Sequence, residues 1–573
     1  MEVEKQLLKP VLALYSGHDT NFTVYEPKYD KFYIFEFERI LGKKHYRGSD
    51  VNKTTGMFSP IKRDFNIITY EYFIEYLKEA YDIDNDFSFY SHRNRGSDLK
   101  DYGQNIFKYD KESNNHCYHH EGHTWSAYMQ SPFDSAFVMS WDGGGDGTCF
   151  QVSKIVNGEM IYSERRHWDF GSVYWYMFGH SKSFERTDPL DIAGKIMGLS
   201  AYGKVHKPLF PYIDDIARWK NFPKFLHDMW KAIPEIDYDQ VDFKKACRPR
   251  NDRVRDDFVR YVNKYNKNSA TKIKEKDLAA TVQVWLEQKA IEIIKEKFYD
   301  QIKECDGNLI ITGGCALNVL VNQKIKETFP DINVYVPPNP HDGGISVGMA
   351  YKYLIENGYI PRGKKYDLSN SGPQLLDIKN FNNHLISKLT RHSIIPIDKF
   401  VKGMHAGKII GMLQGNMEIG PRALGRRSIL CWAAHANMKN TINSKVKFRE
   451  EYRPFAPMCR LEDAHKYFDA VDFDNTEAMA YTVNVKREYR KVLKSITHED
   501  NTARVQTVTE KSDPLMYEIL SKLSEPKVLL NTSFNVQGKP ILNTLAAAEE
   551  VLQKTELDGY VLYYDEKLFY FLK

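Results

Sequence analysis

The stretch Asp134–Val152, DSAFVMSWDGGGDGTCFQV, sets the frame for the chain. Asp134–Asp142 is an apolar run of strand character. It ends in a glycine turn, Gly143–Gly147, and Thr148–Val152 resumes as the next strand. Glycines at such a turn let backbone N–H groups come close to phosphate oxygens, which makes Asp142, Gly143 and Gly144 candidates for nucleotide or phosphate binding. Asp142 could equally hold a metal or orient a hydroxyl, and the same D-G pairs also serve as plain hairpin turns.

Strands continue toward the N-terminus. Val11–Tyr15 stops at the polar turn Ser16–Thr20, Asn21–Tyr25 resumes, and Lys31–Arg39 (KFYIFEFER) alternates with period two, so a meander is expected. Phe65–Tyr81 carries aromatics at helical spacing. Toward the C-terminus the pattern changes to alternating helix and strand. Asp277–Cys305 repeats apolar residues at three and four with Asp277 as its cap, Asn308–Thr312 is a buried-type strand broken by Gly313-Gly314, and Ile332–Val336 and Ser346–Glu356 read as strand and helix. A strand that ends in paired glycines and opens a helix suits nucleotide contact, which adds Gly313, Gly314 and Asn318 to the candidates; it also occurs as ordinary tight packing. The fold class is α/β. The turn-rich segment Pro361–Pro373 is a linker, giving domains over 1–362 and 375–573, with an irregular insertion at 204–276. In the second domain Lys408–Leu413, Lys527–Leu530 and Gly559–Tyr564 read as strands and Leu545–Thr555 as a helix capped by Thr544.

Composition narrows the class. Among 573 residues 42 % are hydrophobic, and 80 basic side chains against 76 acidic ones leave a net charge of +4. That excludes a disordered chain, while neither demanding nor forbidding nucleic acid. The seven cysteines are widely spaced and lack a C-x-x-C pair, which argues against a disulfide framework or a cysteine zinc site. With no signal-peptide pattern and no apolar run near the ~20 residues of a membrane span, a cytoplasmic monomer or homodimer with no membrane partner is expected.

Two clusters carry chemistry. In His119-His120-Glu121-Gly122-His123, residues His119 and His123 share one helical face at a spacing that lets two imidazoles bind one metal; His116 and His120 form a rival pair at the same spacing. Asp342, in His341-Asp342-Gly343-Gly344, is a reasonable third ligand. Between Arg422 and Arg453 lie eight cations, including Arg422, Arg427, Lys447, Arg449 and Arg453, bracketed by the rigid turns GPRALG and RPFAP. Held arginines favour a pocket for phosphate or carboxylate, although the same charges could grip a nucleic-acid backbone. Arg504, Asn531, Ser533 and Asn535 could complete such a pocket.

Ten strings occur in a fixed order: SGHDT (16–20), ERILGKKH (38–45), HHEGH (119–123), DGGGDG (142–147), GKIMGLSAYG (194–203), GGCALN (313–318), HDGG (341–344), GPRALGRRS (420–428), RPFAP (453–457) and NTSFN (531–535). Together they resemble the NodU/CmcH-type O-carbamoyltransferases over nearly the whole chain. The resemblance implies an actin/sugar-kinase-like (ASKHA) N-terminal domain akin to the tRNA threonylcarbamoyladenosine transferase, followed by a YrdC-like α/β C-terminal domain. It implies that the C-terminal domain makes carbamoyl adenylate from carbamoyl phosphate and ATP with Mg, and that the N-terminal domain passes the carbamoyl group to a hydroxyl. It further implies a metal, iron foremost with manganese or zinc as alternatives, on His119, His123 and Asp342. His18 and Asp19 fall in the acceptor motif, with His18 a candidate general base because its reference pKa of about 6.5 lies near working pH. Arg422, Arg427, Lys447, Arg504 and Ser533 fall on the carbamoyl phosphate and adenylate motifs, Arg427 and Lys447 as catalytic groups. One departure is Ala193, where the family often has Glu or His before the Gly-Lys of its G-K-x-M-G-L motif. The acceptor is a small molecule, a sugar, or a modified nucleoside such as a hydroxymethylated base in DNA. Alternatives are a fused tRNA threonylcarbamoyladenosine-type enzyme, a sugar-kinase-like ATPase, and a non-enzymatic nucleic-acid binder.

Overall fold

The computed structural model describes residues 9–46, 50–51, 58–59, 63–93, 106–114, 117–145, 148–166, 168–176, 189–218, 266–267, 272–381, 391–435, 437–470 and 472–573. His116, Asp146, Gly147 and most of the 204–276 insertion lie outside them. The fold is mixed α/β with several sheets. The chain divides into two compact units, one of residues 1–31, 47–335 and 340–365 and one of 32–46, 336–339 and 366–573. Phe32–Tyr46, placed by sequence in the first domain, is therefore counted with the second unit. The alternation expected to Arg39 ends at Glu36, and Phe37–Leu41 is a short helix.

Two larger sheets organise the first unit, beside a two-stranded pair of Asp50–Val51 and Phe58–Ser59. One contains β1 (Val11–Tyr15), β2 (Asn21–Glu26), β3 (Phe87–Arg93) and β4 (Tyr109–Asn114) in the order β2-β1-β3-β4. β1 runs antiparallel to β2 and parallel to β3, and β3 runs parallel to β4. Helix α1 (His119–Gln130) follows. The second sheet contains β5 (Ala136–Gly145), β6 (Thr148–Val156), β7 (Glu159–Arg166), β8 (Asn308–Thr312) and β9 (Asn333–Tyr335) in the order β7-β6-β5-β8-β9. Its β5–β6–β7 hairpins are antiparallel, and β8 and β9 join parallel. Four strands of the first sheet thus repeat the last four positions of the second.

Local chemistry explains the details. Strand β5 runs through Gly143 to Gly145 instead of stopping at Asp142, with a register shift between Trp141 and Gly145. The long helix starts at Glu275; its N-cap is Lys274, and Asp277 sits three residues in, accepting the Lys274 N–H at 3.0 Å. It gives way at Ile294 to a π-helical turn and ends at Lys303. Helix α2 (Ile345–Glu356) packs against α1. A Cβ on Gly348 would stand 1.9 Å from the Gly122 carbonyl oxygen, and one on Gly122 would stand 2.9 Å from Ile345 Cγ2. The helices meet backbone to backbone because neither has a side chain there. Gly348→Ala is expected to push α1 away from α2, costing about 1–3 kcal/mol of stability. A thermal-unfolding scan that leaves the midpoint unchanged would contradict this.

The second unit is built on an eight-stranded sheet. Its strands are β10 (Arg391–Ile395), β11 (Ile410–Gln414), β12 (Arg427–Trp432), β13 (Ala456–Arg460), β14 (Gln506–Val508), β15 (Leu529–Ser533), β16 (Gly559–Tyr564) and β17 (Lys567–Leu572). Their order is β10-β17-β16-β11-β12-β15-β13-β14. Apolar cores, one including Phe455, Leu530 and Tyr560 and another including Met412, Met458 and Val561, are built on this sheet. Helix Leu545–Lys554 is capped by Thr544, whose hydroxyl accepts the Ala547 N–H at 3.0 Å. Among the described residues no helix is long and apolar enough to cross a membrane.

Candidate metal centre and anion site

Helical spacing places His119 and His123 on one face of α1, one turn apart, and both rings are buried. Their Nε2 atoms face each other at 3.2 Å. Two imidazole lone pairs repel at that distance unless a proton or a cation lies between them. Two carboxylates close the cluster. Asp142 Oδ2 is 3.0 Å from His119 Nε2 and 3.4 Å from His123 Nε2, and Asp342 Oδ1 is 3.5 and 3.4 Å from the same atoms. Four donors tetrahedrally disposed ~2.1 Å from one ion stand about 3.4 Å apart, so these four fit a divalent cation. Asp342 Oδ1 is buried and makes no hydrogen bond, a cost that a cation would remove. An N₂O₂ donor set suits iron, manganese or zinc.

Each donor is held. Asp142 sits on β5, and its Oδ1 accepts the Gly143 N–H at 2.6 Å. Asp342 opens the turn into α2; its Oδ2 accepts the Tyr15 hydroxyl at 2.6 Å and lies 3.2 Å from His18 Nε2. The fully buried Asn21 side chain donates to the carbonyls of Asp19 and Asp342 and accepts the Ser346 N–H, tying the His18 turn to the start of α2. Gly313 has φ +87°, and a Cβ there would stand 2.2 Å from the Trp141 carbonyl; on Gly314 it would stand 2.7 Å from Asp142 Oδ1. The glycine pair thus has a packing reason independent of any nucleotide. Asn318 caps the helix Val319–Thr328 and exchanges hydrogen bonds with Gln283. The rival pair is set aside: His120 Nδ1 is 2.7 Å from Ser140 Oγ and its Nε2 is 3.2 Å from the Thr148 carbonyl, so His120 braces α1 against the hairpin.

The electrostatics follow from burial and from the carboxylates. Burial and the two neighbouring histidines push His120 down to about 3. Burial also works against a charged His123, but Asp142 and Asp342 outweigh it and raise His123 to about 9. His119 is driven down by the same burial, only partly offset by Asp342 and Asp142. His18 resists its own burial because Asp342 and Asp19 hold its proton, raising it to about 9. A cation engaged by Asp342 would weaken that hold and move His18 toward the range of a general base.

The cation cluster lies in the second unit. Lys447 ends a π-helical turn, and its buried ammonium donates to Ser533 O at 2.7 Å, Ser533 Oγ at 3.2 Å, Asn535 O at 2.9 Å and Asn535 Oδ1. Arg449 is held by Asn443 Oδ1 at 2.8 Å over the Phe455 ring. Burial together with repulsion from neighbouring arginines lowers Arg422 to about 10 beside Arg453, Arg449 to about 9 beside Arg453, and Arg504 well down beside Arg422, Arg449 and Arg453. Lys447 is lowered by burial, then by Arg449, Arg453 and Lys44. Glu450 stands 4.0 Å from Arg453. Crowded, part-buried cations of this kind are relieved by a polyanion. Asn531 anchors the adjacent loop, donating to Ala423 O and Gln506 Oε1.

Arg427 differs from the others. It is fully buried, and its guanidinium donates to the carbonyls of Gln414, Gly415 and Arg426 and to Asn543 Oδ1. Those donors are committed to the protein. Glu418, which the sequence did not single out, shapes the same loop: its buried Oε1 accepts the N–H groups of Leu424, Arg426 and Arg427. Tyr15 and Asn21 were also missed, because an aromatic or an Asn at a strand end carries no spacing signal.

The family model described as carbamoyltransferase N-terminus matches residues 68–351, and that described as carbamoyltransferase C-terminus matches residues 401–566. Nodulation protein NolO of Bradyrhizobium diazoefficiens is 30% identical over 463 residues, covering 78% of this chain and 77% of that protein. Nodulation protein U of Sinorhizobium fredii is 28% identical over 455 residues, covering 75% and 74%. Among solved structures, full-length HypF in its phosphate- and nucleotide-bound form shares 14% identity over 62% of this chain and 47% of that one, with a TM-score of 0.29.

Proposed function

Since the chain belongs to the carbamoyltransferase family, we propose that it is an ATP-dependent O-carbamoyltransferase that makes carbamoyl adenylate and transfers its carbamoyl group to an acceptor hydroxyl. The observation that carries this reading is the convergence of His119, His123, Asp142 and Asp342, with His18 on the far oxygen of Asp342. The repeated strand order in the first unit supports an actin/sugar-kinase-like domain. The cation cluster on the eight-stranded sheet supports a YrdC-like domain that takes carbamoyl phosphate and ATP with Mg.

In this reading water releases inorganic phosphate from carbamoyl phosphate, the carbamate oxygen attacks the α-phosphorus of ATP and pyrophosphate leaves, while Arg422, Arg449, Arg453, Arg504 and Lys447 neutralise the phosphate charge. A metal on the four-donor cluster, iron foremost, would supply Lewis-acid polarisation. His18 accepts the proton of the acceptor hydroxyl as its oxygen attacks the carbamoyl carbon, the C–O bond to AMP breaks, and AMP departs. Asp19, 3.0 Å from His18 Nδ1, orients that ring. Gly143 and Gly144 remain candidates for phosphate contact.

The acceptor is a small-molecule, sugar or nucleoside hydroxyl, with a hydroxymethylated DNA base as a lesser alternative. Incubation with ATP, labelled carbamoyl phosphate and a panel of hydroxyl acceptors, hydroxymethylcytosine DNA included, tests this directly. Label should appear in one acceptor class only when ATP is present. Transfer of label from bicarbonate, with threonine and tRNA and without any need for carbamoyl phosphate, would favour the threonylcarbamoyl alternative. His18→Asn is expected to keep carbamoyl-phosphate-dependent pyrophosphate release while losing transfer. Loss of both would refute the division of labour.

A further inference from the structure

We propose that Tyr15 is a positioning residue for the metal centre: its phenol ties down Asp342 Oδ2 and so presents Oδ1 alone to the cation. This rests on the metal reading given above. Tyr15 is 1% exposed at the end of β1, and its hydroxyl donates to Asp342 Oδ2 at 2.6 Å. The same oxygen lies 3.2 Å from His18 Nε2. Oδ2 is therefore held from two sides, whereas Oδ1 faces His119 and His123 and has no hydrogen bond of its own. A carboxylate held in this way binds a metal through one oxygen. The Tyr15 ring also meets the His119 ring edge to face, with centroids 6.1 Å apart, so one side chain touches two of the four donors.

The turn after β1 is shaped to admit that ring. A Cβ on Gly17 would lie 2.2 Å from the Tyr15 hydroxyl oxygen and 2.4 Å from its Cζ. Any larger residue at 17 would have to expel the phenol. The glycine in the turn thus has a defined reason, and Tyr15 and Gly17 act as one device. Hydrogen-bond partners of metal ligands set the orientation and charge of those ligands, and their loss typically weakens metal binding about 10–100-fold.

The test uses full-length protein stripped of metal and titrated with Co²⁺ in competition with a chelator. The ligand-field absorption band is read alongside the dissociation constant. Tyr15→Phe keeps the ring and removes only the hydroxyl. It should raise the Co²⁺ dissociation constant about 10–100-fold and alter the band, because Asp342 Oδ2 then keeps only its His18 contact and the carboxylate is less firmly oriented. Gly17→Ala, which keeps the hydroxyl but displaces the ring, should change both readouts in the same sense, so the test does not depend on one variant folding. Wild-type affinity and spectrum in either folded variant would overturn the proposal. So would a visible tyrosinate-to-iron charge-transfer band in ferric wild type that Tyr15→Phe lacks, because Tyr15 would then be a ligand. Failure of the wild type itself to bind Co²⁺ would overturn the metal reading on which the proposal stands.

Discussion

Asp342→Asn is expected to give a folded protein that loses its metal and carbamoylates its acceptor at least a thousandfold more slowly, while still releasing pyrophosphate from ATP in the presence of carbamoyl phosphate. Asn has the shape of Asp and can still accept the Tyr15 hydroxyl, so the buried packing around residue 342 survives. The charge facing His119 and His123 does not. A Lewis acid is worth several kcal/mol of barrier, and about 4 kcal/mol corresponds to the thousandfold loss. The cation cluster lies in the second unit and contains no residue of this set, which is why the first half-reaction should persist. Elemental analysis of the purified variant, a pyrophosphate assay and a label-transfer assay together decide the matter. A metal-free Asp342→Asn protein transferring carbamoyl at the wild-type rate would place the chemistry elsewhere. Chelation of the wild-type protein should reproduce the loss of transfer.

Lys447→Met is expected to show the opposite split, with pyrophosphate release abolished and metal content unchanged. The Lys447 ammonium gathers the backbone carbonyls and side chains of Ser533 and Asn535 at the end of β15. It is also one of the charges that a phosphate group would find in place. Met matches the length of the lysine stem but carries no charge, and the unsatisfied carbonyls it leaves cost about 1–3 kcal/mol. Arg427 was paired with Lys447 as a catalytic group on sequence grounds, and both are buried and hydrogen-bonded to protein oxygens. Arg427 has no exposed surface and spends its donors on protein carbonyls, so Arg427→Glu should fail as a fold. The expected penalty is about 3–5 kcal/mol, the cost of an uncompensated buried charge. A well-folded but inactive Arg427→Glu protein, judged by its unfolding midpoint, would restore Arg427 to the phosphate site.

Several features were legible in the sequence because they depend on local period. The four-residue spacing of His119 and His123 needs only a helix to become a shared face, and α1 supplies it. The apolar runs of β5, β8 and β16 and the cap at Thr544 follow from propensity and hydrogen-bond chemistry over a few residues. The crowding of cations between Arg422 and Arg453 was likewise plain, since nearby like charges must share one anion or be solvated.

Partnership across the chain was decided only by the tertiary structure. Asp142 read as part of a glycine turn near phosphate, yet pairing of β5 with β8 and the seating of α1 bring its carboxylate to the two histidines. Tyr15 and Asp342 meet across 327 residues of sequence, a distance no periodicity spans. The recurrent order of strands in the two N-terminal sheets is not marked by any repeat of fixed short period in the sequence, because many apolar side chains satisfy the same burial. Sequence by itself determined which groups can do chemistry, since that is a property of residue type and local spacing. The tertiary structure decided which of them converge on one point, which hold the others in place, and which, like Arg427, hydrogen-bond to the protein itself, since that depends on where buried donors and acceptors find their partners.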